Sequence, residues 1–136
     1  MATLLWTGCS INNKPSAPTP SANTETLKAN TPEYGMWWSY RDYERDLKDK
    51  SEEEARAIID QALENMQSLG INRVYVHAVS FTDAFYDSAQ YPRSAYLGAG
   101  TYDAVKIFTE LGHQRGMKID AWINPMRSLS VEEAST

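Results

Sequence analysis

Cysteine is nearly absent: Cys9 stands alone among 136 residues, which excludes an internal disulfide and any multi-cysteine metal site. Basic runs are missing as well. With a formal net charge of −5 and no Lys/Arg-rich segment, the chain carries no electrostatic footprint for phosphate, so nucleic-acid binding is not expected. No stretch approaches the roughly 20 consecutive apolar residues of a membrane-spanning helix. Large apolar residues are scarce from Asn12 to Pro32, where Ser, Thr, Pro, Asn and Ala dominate. Such a stretch cannot bury enough surface to offset its conformational entropy. Residues 1–32 are therefore expected to be a flexible leader and linker, and residues 33–136 the folded part.

What is present begins with a globular composition, 42% hydrophobic and 23% charged. The aromatic-rich run Tyr34–Tyr40 is of strand length, and a charged turn is expected after it. Ser51 precedes Glu54 by three residues, the spacing of a capping box. Ala55, Ile58, Ile59, Ala62, Leu63, Met66 and Leu69 then recur at helical spacing until Gly70. Ile71–Val79 is β-branched enough for a second strand. A polar, aromatic loop is expected over Ser80–Gly100, then a helix capped by Thr101 and ended by Gly116. Met117–Asn124 reads as a third strand, broken by Pro125.

Strands alternating with helices of this length predict right-handed βαβ units and a parallel sheet. In the second strand Val74, Val76 and Ala78 share one face, and Tyr75, His77 and Val79 the other. In the third, Ile119, Ala121 and Ile123 oppose Asp120, Trp122 and Asn124. One face is aliphatic, suited to a cover of helices. The other turns polar and aromatic toward the C-terminal strand ends, where the active sites of (β/α)-barrels lie. No glycine-rich phosphate turn follows the first strand, so a dinucleotide-binding sheet has little support.

Several segments together resemble the glycosyl-hydrolase-like family 10. These are Gly35-Met36-Trp37, Asp83 to Ser88, Tyr91 to Leu97, Tyr102-Asp103-Ala104, His113 to Gly116, and Ala121 to Arg127. The likeness runs from about Glu33 to Ser128. It implies an incomplete (β/α)8 TIM barrel, with the first three β-strands and two helices, and an activity on glycosidic bonds of a polysaccharide or oligosaccharide. No cofactor or metal is expected. The chain departs from the family pattern at His77, Val79 and Ser80, where Gln, Arg and Pro are common, which leaves substrate choice open.

Glycoside hydrolysis commonly uses two carboxylates about 5–9.5 Å apart, and only Asp83, Asp87 and Asp120 are placed for that work. Asp120 lies early in its strand and reads as structural; Asp83 reads as a sugar-hydroxyl ligand or as a turn cap. The catalytic residues are therefore expected beyond residue 136. His77 reads as a substrate hydrogen-bonding group or a satisfied core histidine. His113 suits the end of its helix. Trp37 and Trp122 suit stacking on sugar faces or barrel packing. Asn124 and Arg127, at the end of the third strand, suit recognition of hydroxyl or carboxylate groups. The substrate-binding set is thus His77, Asp83, Trp122, Asn124 and Arg127.

Leu4 to Ser10 resembles a lipoprotein lipobox around Cys9, which implies lipidation of Cys9, membrane attachment and a bacterial cell-envelope or secreted location. A complete signal peptide needs more residues before the cysteine than are present, so the start of the gene is expected to be missing. The competing reading is a free cysteine in a tail. The leading function is a glycoside hydrolase, with peptidoglycan glycan strands as one candidate substrate. The alternative is a non-catalytic glycan-binding envelope lipoprotein.

Overall fold

The computed structural model describes residues 32–126, whose regular elements alternate between strand and helix. Residues 1–31 of the expected leader and linker, Cys9 among them, lie outside the described residues, as does Arg127. Three strands, β1 (Gly35–Trp38), β2 (Arg73–Val79) and β3 (Lys118–Ile123), form one parallel sheet in the order β1-β2-β3. The expected mixed α/β arrangement with a parallel sheet is what the chain adopts. Gly35, Arg73 and Lys118 stand in register, as do Trp37, Tyr75 and Asp120, then His77 and Trp122. Side chains alternate along a strand, so these residues share one face.

Helix α2 (Glu52–Ser68) begins where the sequence reading places it. Ser51 Oγ accepts from the Glu54 N–H, and Glu54 returns a carboxylate oxygen to the Ser51 N–H at 2.9 Å. Those two amides at the helix start have no intrahelical carbonyl to use. Its buried stripe, Ala55, Ile59, Leu63 and Met66, has the spacing of one helix face. Gly70, at φ 81°, and Gly116, at φ 70°, follow α2 and α3 (Ala104–Gln114) in the left-handed region that glycine adopts without steric cost.

Three expectations need correction. The charged turn after β1 is helical: α1 (Tyr40–Asp42) runs on into a wider π-type turn, Tyr43–Leu47. The cause is burial, because Tyr43 and Leu47 lie one helical turn apart and are both fully inaccessible. Tyr43 stacks on Phe85, with ring centroids 4.1 Å apart. The cap of α3 is Asp103, not Thr101: Asp103 Oδ1 accepts from the Lys106 N–H at 2.7 Å. Arg93 holds the carbonyls of Thr101 and Tyr102, which keeps Thr101 outside the helix. The segment 80–100 is also less irregular than expected. It carries a 3-10 turn, Ala95–Leu97, and isolated bridges from Ala84 to Val79 and to Arg93.

Both long helices pack on one face of the sheet. Val74 and Val76 lie in a single core with Ala55, Ile59, Leu63, Ile107 and Phe108. Successive βαβ crossovers of one hand give this result. Gly112 lets α3 sit close to β3, since a Cβ there would stand 2.4 Å from Ile119 Cδ1. Further along β3 the aliphatic face is uncovered among the described residues: Ala121 is exposed and Ile123 is 55% accessible.

The long loop is tied to the π-type turn by Tyr102, whose hydroxyl donates to the Leu47 carbonyl at 2.8 Å from a buried position. Burial pushes the Tyr102 phenol up to about 12, with Arg93 opposing. A raised phenol value means the folded state favours the neutral form. Its contribution is complete below the ordinary tyrosine value near 10 and is lost as pH rises through about 12. Tyr102→Phe should lower the midpoint of thermal unfolding, at a cost of about 1 kcal/mol. It should also flatten the alkaline loss of stability between those two values, as pH-resolved melting curves would show.

Candidate functional site

Parallel strands bring their C-terminal ends to the same edge of the sheet, and three of the residues expected to bind substrate meet there. His77 ends the polar face of β2, Trp122 stands beside it on β3, and Asn124 follows β3 directly. The imidazole and the indole are stacked, with centroids 3.6 Å apart and planes 11° from parallel. Trp122 Nε1–H donates to Asn124 Oδ1 at 3.0 Å. Asn124 Nδ2 donates to the Ser80 carbonyl at 3.2 Å and lies 2.9 Å from His77 Nε2. The Asn124 backbone is itself anchored, its N–H donating to the Val79 carbonyl at 3.0 Å. A local irregularity in the β2–β3 register between His77 and Val79 lets the chain turn here.

The other nitrogen of His77 is held from β1. The Tyr40 backbone N–H donates to His77 Nδ1 at 3.0 Å, so the exit of the first strand braces the end of the second. Around this point the sequence analysis missed an aromatic group. Tyr40 lies 5.3 Å from Phe81 and 4.9 Å from Tyr96 between ring centroids, and Arg41 caps the Tyr40 ring at 5.5 Å. Tyr40 and Tyr96 are half-buried and Phe81 is buried. The signal for Tyr40 was its place just after the first strand; Phe81 and Tyr96 lie in a loop whose folding no periodicity announces.

The remaining candidates fall elsewhere. Asp83 is 8% exposed and its Oδ1 accepts from Ser80 Oγ–H at 2.9 Å and from the Phe81 N–H at 3.2 Å. These hydrogen bonds are those of a turn cap. Asp87 is bound to Arg93 at 2.7 Å on the surface. Asp120 pairs with Arg73 at 2.9 Å, and Arg73 also reaches Glu33. The Lys118 ammonium, in hydrogen-bond contact, and Arg73 hold the Glu33 carboxyl below its ordinary value. Trp37 lies one row closer to the N-terminal edge than His77 and Trp122. It stacks on Tyr75 at 5.0 Å, is 60% exposed, and has no part in the His77 group. His113 is exposed in the last turn of α3. Among the described residues no cluster of three or more His, Cys, Asp or Glu could hold a metal ion.

The Asp83 bonds generate a local prediction. Asp83→Ala should speed hydrogen exchange at the Phe81 amide by about ten-fold or more, because that N–H loses its acceptor. Unchanged protection would mean the loop is held by its other bonds alone.

No family model matches the chain. Over 70 residues it is 37% identical to Glycosyl hydrolase YngK of Bacillus subtilis (strain 168), a stretch covering 48% of this chain and 14% of that protein. Over 77 residues it is 34% identical to Glycosyl hydrolase DigH of Escherichia coli (strain K12), covering 53% of this chain and 17% of that protein. About half of the chain is therefore similar to a small part of proteins named glycosyl hydrolases, and the relationship is glycoside-hydrolase-like.

Proposed function

We propose that this chain supplies the first three strands of a (β/α)8-barrel glycoside hydrolase that cleaves O-glycosidic bonds in a cell-envelope or extracellular polysaccharide. The observation that carries the reading is the strand-end group of His77, Trp122 and Asn124 beside the aromatic group of Tyr40, Phe81 and Tyr96. A sugar presents hydroxyls around its rim and C–H groups on its faces. A site that takes one therefore needs fixed polar groups next to aromatic rings. The names of the two relatives support the reaction class, and helices confined to one face of a parallel sheet fit a barrel wall.

Catalysis by two carboxylates is assigned to polypeptide beyond Thr136. Asp83 and Asp120 are both engaged, in a turn and in an ion pair respectively. In this reading His77, Trp122 and Asn124 hold the substrate, Arg127, three residues after Asn124 in the sequence, contributes to recognising it, and Asp83 sets the shape of the loop. Peptidoglycan glycan strands are one candidate substrate, and attachment through a lipidated Cys9 rests on the sequence from Leu4 to Ser10.

In a polypeptide carrying the complete barrel, Asn124→Ala and Arg127→Ala should each lower kcat/KM about ten- to a hundred-fold. That is the effect of losing about 1–3 kcal/mol of transition-state binding. The melting temperature should change little. Full activity in both variants, or loss only through unfolding, would make these residues scaffold.

A further inference from the structure

Acids outnumber bases in this chain, with 18 Asp and Glu against 13 Lys and Arg, so a cation without an acid is not explained by a shortage of acids. Among the described residues every Lys and Arg but one has a carboxylate oxygen within 4.0 Å. The exception is Arg41. The acid next to it, Asp42, is used elsewhere. One of its oxygens accepts from the Ser39 N–H at 2.8 Å and from Ser39 Oγ–H at 2.7 Å, and the other faces Arg45 at 3.0 Å. Arg41 is exposed but held. Its Nε–H donates to the Tyr40 hydroxyl at 3.2 Å, and its guanidinium carbon lies 5.5 Å from the centre of the Tyr40 ring. With Nε so engaged, the fork of Nη1 and Nη2 is left open among the described residues. The Tyr40 ring itself belongs to the aromatic group at the strand ends, with Tyr96 at 4.9 Å, Phe81 at 5.3 Å and His77 at 5.9 Å between centroids. The open fork therefore stands at the rim of the site assigned to the glycan.

Resting on the glycan reading above, we propose that Arg41 is a specificity-determining residue that binds a carboxylate carried by the glycan through Nη1 and Nη2. A guanidinium offers two parallel N–H bonds that match the two oxygens of a carboxylate, whereas a hydroxyl meets only one of them. The Nε bond and the ring beneath fix the guanidinium before the ligand arrives, so little side-chain entropy is lost on binding. A sugar whose C–H face lies on Tyr40 and its aromatic neighbours brings an acidic substituent to the fork. The net charge of −5 repels an anionic polymer at a distance, so preference for one has to come from a local contact of this kind. Arg41 takes no part in bond cleavage. The carboxylate belongs either to a uronic acid, on the sugar ring, or to an ether side chain on an amino sugar, as in peptidoglycan glycan strands.

The test is a set of dissociation constants from NMR titration of the 136-residue chain at low salt. The probes are a uronic acid oligosaccharide, a peptide-free peptidoglycan oligosaccharide, and the carboxyl-reduced form of each. Reduction turns the acid into a neutral alcohol and leaves the rest of the sugar unchanged. At least one acidic probe should bind about five-fold or more tightly than its reduced form, and which one does so identifies the source of the carboxylate. Arg41→Gln should erase that preference while changing the affinity for the reduced form less than about two-fold, the mark of an intact site. Lys48→Gln, which removes another exposed cation a short way along the chain, should leave the preference as it is. Equal binding of acidic and reduced forms overturns the proposal and leaves the glycan reading intact. So does a preference that survives Arg41→Gln, or one that falls as far with Lys48→Gln. Binding of none of the four probes overturns both.

Discussion

The bond from the Tyr40 amide to His77 Nδ1 is the constraint on which the site depends. It joins the end of β1 to the end of β2, and it decides which nitrogen of the imidazole carries the proton. From that follow the face the ring shows to Trp122 and the polarity it shows to Asn124. The helical turn that places the amide exists because Tyr43 and Leu47 are buried beneath it. The site is thus braced from below by the hydrophobic core, through one backbone donor that no substitution except proline removes.

The sheet separates two kinds of work. On the helix side, apolar residues from β2 and from both long helices pack into one core and supply stability. The other side is polar at both edges, charged at one and uncharged at the other. At the N-terminal edge, Glu33, Arg73, Lys118 and Asp120 form ion pairs; Trp37 and Tyr75 stack in the middle; His77, Trp122 and Asn124 close the C-terminal edge. Charges at the first edge satisfy one another. At the last edge, stacked rings and hydrogen bonds hold His77, Trp122 and Asn124 in fixed positions, as a site for a ligand needs.

Local chemistry made much of the fold legible. The Ser51/Glu54 cap, the stripe of α2, Gly70 and Gly116 each act within a few residues, so the sequence alone reveals them. Thr101 and Asp103 show where such reasoning stops: both are good caps, and the choice between them was made by Arg93 gripping two carbonyls from elsewhere in the loop. The turn after β1 shows it again. Five charged residues surround Tyr43 and Leu47 and hide their helical spacing. At the site, the strand residues His77, Trp122 and Asn124 were readable because alternation along a strand and a shared sheet edge are simple rules. Tyr40, Phe81 and Tyr96 come together only when the loop folds back. Asp83 could not be decided from sequence, because a turn cap and a sugar ligand call for the same side chain.

The central claim is that a glycan binds at the C-terminal ends of β2 and β3. The most direct measurement is a crystal structure, with a bound oligosaccharide, of a polypeptide that includes this chain and the remaining barrel. The account places a sugar ring against the aromatic group of Tyr40, Phe81, Tyr96 and Trp122, with a ligand oxygen within hydrogen-bonding distance of Asn124. A sugar bound at the ion-paired N-terminal edge or on the helix side would contradict it.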